Sequence, residues 1–336
     1  MAAEDIRLSP KAARALIFDA LTGAGTTPAN AGYFTEAILV TELSGLEGHG
    51  FYWLQYYCEH VKSGKVDGKA KPKVHRLSPV AFRVDVNRGF AHPAIEKGFE
   101  KLIPAAKKYG IAGLALHASY NSATLGFHTG YLAKHGLLAF GFTNATPAIA
   151  PPGGKKKVIG TNPLSFAVPG KSGKIAFLID QSSSAVTWTA VKRAAEDGRP
   201  IPLGWALDPD GKPTTDAAKG LEGSITPAGG YKGFGQGLIV EVMCAALTGS
   251  FRGPQMGSFQ ENDGKPIGCG QFFIAIEPLM FSGGAFAKQV TALAKSITAQ
   301  QGARLPNARR TETARRLAKE GLPISQSLHT RLKGFA

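Results

Sequence analysis

The sequence predicts an α/β protein with a mixed, largely non-parallel central sheet and a helical lobe formed from both termini. Two observations carry the prediction. Apolar residues at helical spacing concentrate at the two ends of the chain, with short strand-like apolar runs between them. No regular βαβ alternation links those runs, so an all-parallel sheet is not expected. At 336 residues the chain is long enough for two domains. No linker divides it, so a discontinuous domain is expected.

The elements follow in order. Ser9 and Pro10 supply an N-cap and N1 proline for a first helix, and Pro28 opens a second in which Phe34, Ile38 and Thr41 share a face. Gly45, Gly48 and Gly50 interrupt the pattern around His49. A third helix buries Phe51, Leu54, Cys58 and Val61, and Gly64 ends it. Residues 79–85 read as a strand. Pro93 begins a helix with Ile95, Phe99 and Leu102 on one side and a candidate kink at Pro104. Residues 111–116 and 137–142 read as buried strands around a helix over 124–135, and 164–168 with 175–179 as a strand pair. Residues 184–196 read as helix and 198–221 as a long loop. The glycine run 229–237 leads into an apolar helix over 238–247. Residues 272–276 are one more strand. Phe286, Val290, Leu293 and Ile297 mark an amphipathic helix, and Asn307 can cap a last basic helix.

The formal charge is +15, from 39 Lys and Arg against 24 Asp and Glu. A positive field draws nucleic acid, membrane surfaces or small anions. The cations are spread along the chain without interleaved aromatics, which favours a small anionic ligand over a nucleic acid. Cys58, Cys244 and Cys269 are odd in number and lack CxxC spacing, so unbridged thiols in the cytoplasm are expected. Glu4, Asp5, Arg7, Lys11 and Arg14 leave no signal-peptide core, and no apolar run is long enough to span a membrane.

Residues 150–169 combine a Pro/Gly turn, Lys155–Lys157 and a second turn at 160–163. Backbone N–H groups in such turns form anion sites, and lysines add charge; a solvated surface hairpin satisfies the same residues. No GxGxxG joins a strand to a helix with an acidic residue about 20 positions on, so a Rossmann domain is not expected. The glycines 233–237 suit either a phosphate at a helix N-terminus or close helix packing. None of the eight histidines has a metal-ligand spacing. His49, flanked by glycines where a helix breaks, is either a proton donor or an ordinary turn histidine. Asp180 ends an apolar strand, a place for either a site carboxylate or a helix cap.

Gly48, His49 and Gly50, the stretch 153–169, Ile179 and Asp180, and the segments 201–208, 211–216 and 229–235 together resemble the malate/L-lactate dehydrogenase family, which lacks a Rossmann fold. They keep family order over most of the chain. The resemblance implies a non-Rossmann NAD(P)-binding domain over 116–284 and a helical, substrate-side domain from 1–115 plus 285–336. It implies hydride transfer, with NADPH or NADH as cofactor, at C2 of a 2-hydroxy, 2-oxo or cyclic 2-imino acid. It assigns catalytic roles to His49, the proton donor, and Asp180. It assigns cofactor contacts to Asn121, Ser122, Thr124, Thr161, Gln181, Lys232, Gly233, Arg309 and Arg310, and substrate contacts to Trp53, Thr161 and Trp188. The two C-terminal arginines suit an NADPH 2′-phosphate; a homodimer is the expected assembly.

Departures shape the substrate expectation. Gly48 stands where family members carry serine, Trp53 where they carry a substrate-binding arginine, and Asn121 where many have a second histidine. Thr187, Trp188 and Thr189 replace an Ala-Arg-Gly or Ala-His-Gly triplet. Losing a bidentate cation disfavours a dicarboxylate such as malate, and two tryptophans favour a flatter substrate. The stretch 258–278 resembles the Δ1-piperideine-2-carboxylate/Δ1-pyrroline-2-carboxylate reductase branch. Reduction of a cyclic 2-imino acid is therefore expected. A 2-hydroxy-acid dehydrogenase and a non-catalytic binder of anionic metabolites are the alternatives.

Overall fold

The computed structural model describes residues 5–336, apart from the side chains of Asp5 and Glu47. Glu4 lies outside the described residues. The chain opens with β1 (Asp5–Leu8), α1 (Pro10–Gly23), α2 (Pro28–Leu43) and α3 (Phe51–Lys62). Ser9 and Thr27 cap α1 and α2, their hydroxyls accepting from the N–H groups of Ala12 and Asn30. There follow β2 (Lys73–Arg76), β3 (Ala81–Asp85), α4 (Ala91–Tyr109), β4 (Ile111–Ser119), α5 (Leu125–Lys134), β5 (Leu138–Thr143), β6 (Leu164–Pro169) and β7 (Ile175–Gln181). Next come α6 (Trp188–Glu196), β8 (Ala206–Leu207), β9 (Pro213–Thr214), α7 (Ala217–Glu222), β10 (Ser224–Ile225) and α8 (Tyr231–Glu241). The chain closes with β11 (Cys269–Ile276), α9 (Pro278–Ser282), α10 (Phe286–Thr298), α11 (Ala308–Glu320), β12 (Leu322–Ser325) and α12 (Gln326–Lys333).

Seven strands form the central sheet in the order β2-β3-β4-β11-β5-β6-β7. β3 and β4 run parallel and every other neighbouring pair is antiparallel. This is the mixed, non-Rossmann sheet the sequence predicts. α4 lays Ile95, Phe99 and Leu102 on Leu114, Leu116 and Phe273 of the sheet, each burial contributing about 1.5–3 kcal/mol. α4 continues through Pro104 to Tyr109.

The two ends of the chain meet in one lobe. β1 pairs antiparallel with β12, and Leu322, Ile324 and Leu332 join Ile17, Leu21, Phe34, Leu54 and Cys58 in a single core. The division at 115/116 and 284/285 stays a proposal; the first of these points falls inside β4.

Four expectations change. The helix expected from residue 184 starts at Trp188, because Ser184 bridges to Pro227 instead. The expected loop over 198–221 contains β8, β9 and most of α7, elements too short to leave a period. The glycine run 229–237 does not precede its helix: α8 begins at Tyr231 and continues as a π-helical turn over Val242–Ala246. A Cβ on Gly233 would lie 2.3 Å from the Ala228 carbonyl oxygen, so its bareness serves close packing. Finally, Asn307 precedes α11 in a left-handed conformation and its side chain makes no capping hydrogen bond.

Among the described residues, no helix is long and apolar enough to cross a membrane, and no group of three His, Cys, Asp or Glu is placed to hold a metal. The three cysteines are free and buried.

Candidate active site

A cavity of about 530 Å3 opens where α3, the C-terminal end of β7, the 161–163 turn, the start of α6 and the 256–260 segment converge. His49, Trp53, Asn121, Thr124, Thr161, Asp180, Gln181, Trp188 and Arg310 line it. Residues separated by up to 261 positions in sequence thus share one space.

His49 sits in a 3-10 turn, Glu47–His49, between α2 and α3. Its backbone N–H donates to the Leu46 carbonyl at 2.8 Å. The buried Glu42 carboxyl, from α2, accepts from the Phe51 N–H at the start of α3, a charge-compatible partner for a helix N-terminus. That carboxyl occupies the space beside Gly50: a Cβ there would lie 2.0 Å from Glu42 Oε1. A glycine after His49 is thus a packing requirement of the turn. Burial pushes the His49 imidazole below its ordinary pKa; the Asp180 carboxylate opposes this and the Arg310 guanidinium adds to it.

Asp180 stands at the end of β7, its side chain 9% exposed. Arg310 of α11 reaches it with Nη1 3.2 Å from Oδ2, while Nη2 donates to the Asp180 carbonyl at 3.2 Å. α5 crosses just behind: a Cβ on Gly126 would lie 2.9 Å from Asp180 Oδ2. The carboxylate is therefore fixed on two sides.

Thr161 is presented by a turn whose pivot is Asn162, fully buried with φ of 39°, a left-handed conformation asparagine tolerates. Its amide donates to the Gly237 carbonyl at 3.0 Å and to Glu241 Oε2 at 2.8 Å, and its Oδ1 accepts from the Ala145 N–H at 3.1 Å. The Thr161 carbonyl in turn accepts from Ser183 N–H. Asn121 Oδ1 accepts from Ala123 N–H at 2.5 Å and from the Tyr57 hydroxyl at 3.3 Å.

Four aromatic side chains also line the cavity. Trp53 and Tyr57, four residues apart on α3, face the cavity with Trp188 and Phe259. Trp53 and Phe259 meet edge-on with centroids 6.0 Å apart. Thr187 caps α6, its hydroxyl accepting from Ala190 N–H, which sets Trp188 at the first helical position. Lys157 and Arg310 are the cations lining this space, and both are engaged. Lys157 donates to the Leu221 and Glu222 carbonyls at 3.0 and 3.3 Å, and burial lowers its pKa.

Four of the residues carried over from the resemblance lie apart from this lining. Ser122 is buried beside it, with its hydroxyl unpartnered in the protein. Lys232 is exposed on the first turn of α8 and Gly233 is packed beneath it. Arg309 lines an adjoining groove of about 410 Å3 with Arg304. Tyr57, Lys157, Met256 and Phe259 were not expected in the cavity. The i to i+4 relation of Trp53 and Tyr57 is a signal that points to Tyr57; Lys157 lies in the lysine-bearing turn and Phe259 in the 258–278 stretch that the sequence already marks, and nothing local marks Met256.

The adjoining groove shares Asp180, Gln181 and Arg310 with the cavity. The chamber has polar and aromatic walls and is continuous with a groove carrying three arginines, a shape and charge suited to an extended anionic ligand. The other buried histidines serve the core. His60 Nδ1 shares a 2.5 Å hydrogen bond with the Tyr120 hydroxyl, and burial pushes its pKa down to about 4. His128 bonds Tyr33 and the Ser122 carbonyl, and burial brings it to about 4 as well. Among the described residues, His49 is the histidine that lines the cavity.

Known proteins agree with this architecture. A family profile described as malate/L-lactate dehydrogenase matches residues 8–333. The (2R)-3-sulfolactate dehydrogenase (NADP(+)) of Chromohalobacter salexigens is 38% identical, over 98% of each chain. The Delta(1)-pyrroline-2-carboxylate reductase of Ancylobacter novellus is 37% identical, over 99% of this chain and 98% of the relative. The crystal structure of delta1-piperideine-2-carboxylate reductase from Pseudomonas syringae pvar. tomato superposes with a TM-score of 0.92 at 30% identity, over 98% of this chain and 100% of that one. On the profile match, the whole-length identities and the shared non-Rossmann sheet, the chain belongs to the malate/L-lactate dehydrogenase family of NAD(P)-dependent oxidoreductases.

Proposed function

We propose that the protein reduces a cyclic 2-imino acid of the Δ1-pyrroline- or Δ1-piperideine-2-carboxylate type at C2. The observation that carries this reading is the aromatic part of the cavity lining. Trp53, Tyr57, Trp188 and Phe259 form an aromatic wall, and both cations in reach, Lys157 and Arg310, already hold protein oxygens. A flat ring with one carboxylate matches such a wall; a compact dicarboxylate asks for a free bidentate cation that it lacks. The pyrroline- and piperideine-2-carboxylate reductases among the relatives support the same choice.

When bound, the reduced nicotinamide supplies a hydride. The protein's part is to hold the reactants and deliver a proton. His49, protonated, gives its proton to the imine nitrogen, which makes C2 electrophilic and leaves the product a secondary amine. Burial makes His49 a stronger acid than a free imidazole, while the Asp180 carboxylate keeps part of the population protonated. Arg310 orients Asp180 through its side chain and its carbonyl together. Thr161, Asn121, Thr124 and Gln181 are the polar groups that would hold the ring end of the cofactor. Arg304 and Arg309, in the adjoining groove, would hold its phosphates, and two guanidinium groups there favour NADPH over NADH.

The test is NADPH consumption with Δ1-pyrroline-2-carboxylate, Δ1-piperideine-2-carboxylate, pyruvate and oxaloacetate. The imino acids should be turned over fastest. Imine turnover below about a hundredth of oxo-acid turnover replaces this reading with a 2-hydroxy-acid dehydrogenase, which the sulfolactate relative favours. Nucleotide binding without turnover of any of them leaves a non-catalytic binder.

The same reading includes a cytoplasmic homodimer. The free thiols support the compartment. Leu238, Ile239, Val242 and Leu247, exposed along α8 and its continuation, support a partner face; light scattering at monomer mass would refute the dimer.

A further inference from the structure

Residues 257–266 contain no regular secondary structure, and their first four positions, with Met256, close one side of the cavity. The ends of this segment are pinched together. Gly257 N–H donates to the Pro266 carbonyl at 3.1 Å, and a Cβ on Gly257 would lie 1.9 Å from the Lys265 carbonyl oxygen. Such a compact excursion with touching ends is an Ω-loop, and one of this kind needs internal tethers to hold its shape.

The tether is Lys65, from the turn after α3. Its side chain is buried, the residue being 5% exposed. Its ammonium donates to the carbonyls of Ser258 at 2.6 Å, Glu261 at 2.6 Å and Asp263 at 2.9 Å. Three donors meet three acceptors, so the cation is saturated by backbone oxygens alone, and the loop wraps it as it would a bound metal ion. The exposed Glu261 and Asp263 carboxylates add long-range attraction to the same ammonium without bonding it. Between the first two of these carbonyls lies Phe259, whose ring packs on Trp53, Tyr120 and His60. Lys65 thus fixes from below the loop that sets Phe259 against the aromatic wall.

We propose that Lys65 is a positioning residue that clips the 257–266 loop over the cavity and thereby sets how tightly the ring of the substrate is held. The proposal rests on the reading of the cavity as the substrate site. Lys65 lines neither the cavity nor the arginine groove. Its loss therefore acts on substrate through Phe259 and leaves the cofactor contacts in place. Lysine suits the role because its three N–H groups spread to separate carbonyls, where a flat guanidinium would not.

The experiment compares the full-length protein with K65M and K65A. Hydrogen exchange is followed at 258–264, and KM is measured separately for imino acid and NADPH. In both variants exchange over 258–264 should accelerate by about tenfold or more relative to the rest of the chain. The imino-acid KM should rise by a similar factor, with kcat and the NADPH KM changed less than about threefold. Propylammonium added to K65A should return part of both effects, because it restores a cation among the three carbonyls. Unchanged exchange in folded K65M and K65A overturns the clip. Accelerated exchange with an unchanged imino-acid KM overturns its role in holding substrate. Wild-type protein inactive on every imino and oxo acid instead refutes the reading of the cavity, and exchange alone then judges the clip.

Discussion

Gly50→Ala tests how the turn holds His49. An alanine Cβ would lie 2.0 Å from Glu42 Oε1 and 2.5 Å from its carboxyl carbon, about 1.4 Å inside the 3.4 Å of ordinary contact. The Glu42 carboxyl is buried and accepts from the Phe51 N–H. Either it leaves the Phe51 N–H, or the turn carrying His49 moves by about an ångström. Losing a hydrogen bond to a carboxylate and stranding its donor costs about 2–4 kcal/mol. For a chain of this size that lowers Tm by about 3–6 °C if unfolding is cooperative. A shift of His49 by about 1 Å costs about a hundredfold in kcat. Thermal unfolding and steady-state imine reduction read the two effects. In a Glu42→Ala background the clash is gone, so adding Gly50→Ala should cost little more, and the two substitutions should not be additive. A Gly50→Ala protein with wild-type Tm and wild-type kcat refutes this account of the turn.

The pH profile should shift in opposite directions when the pair beside His49 is broken from either side. In the proposed mechanism reduction needs His49 protonated, so kcat/KM should fall as pH rises through its pKa, which burial places below the ordinary imidazole value. Arg310→Met removes a group that lowers that pKa, so the alkaline fall moves to higher pH. Asp180→Asn removes one that raises it, so the fall moves lower; equal shifts of one sign would refute the electrostatic assignment. Gly48→Ser should be well tolerated, because its Cβ meets Thr189 Cγ2 at an ordinary 3.4 Å. Its stability should stay within about 0.5 kcal/mol of wild type by denaturant titration, and a larger loss contradicts the packing. Arg304→Met with Arg309→Met should raise the KM for NADPH about tenfold or more while leaving that for NADH within about threefold. Equal effects on both would remove the groove from 2′-phosphate recognition.

Local chemistry was legible wherever one segment decides its own structure. Ser9 with Pro10 and Thr27 with Pro28 mark helix starts by the side-chain acceptor and missing donor such starts require. His49 stood out because glycines flank it, and Gly50 is bare for a reason the sequence does not state: the Glu42 carboxyl fills its Cβ space. The placement of β11 between β4 and β5 was not legible, because its partners lie more than a hundred residues away and strand pattern does not encode a neighbour. The Asp180–Arg310 pair, 130 residues apart, was hidden for the same reason. Glycine misled at α8, where it permits close packing inside a helix and does not mark a turn. Lys65 reads as one more solvated lysine in a charged loop; burial among three carbonyls becomes visible only once the 257–266 segment folds back on it.

The account turns on proton delivery by His49, and His49→Gln measures it directly. Glutamine keeps a hydrogen-bonding side chain in the turn but has no proton to give near neutral pH. With Δ1-pyrroline-2-carboxylate and NADPH, kcat should fall by about 10²–10⁴, the residual activity should lose the His49-dependent fall at alkaline pH, and NADPH binding should be retained. A His49→Gln enzyme with the kcat and pH profile of wild type would contradict it.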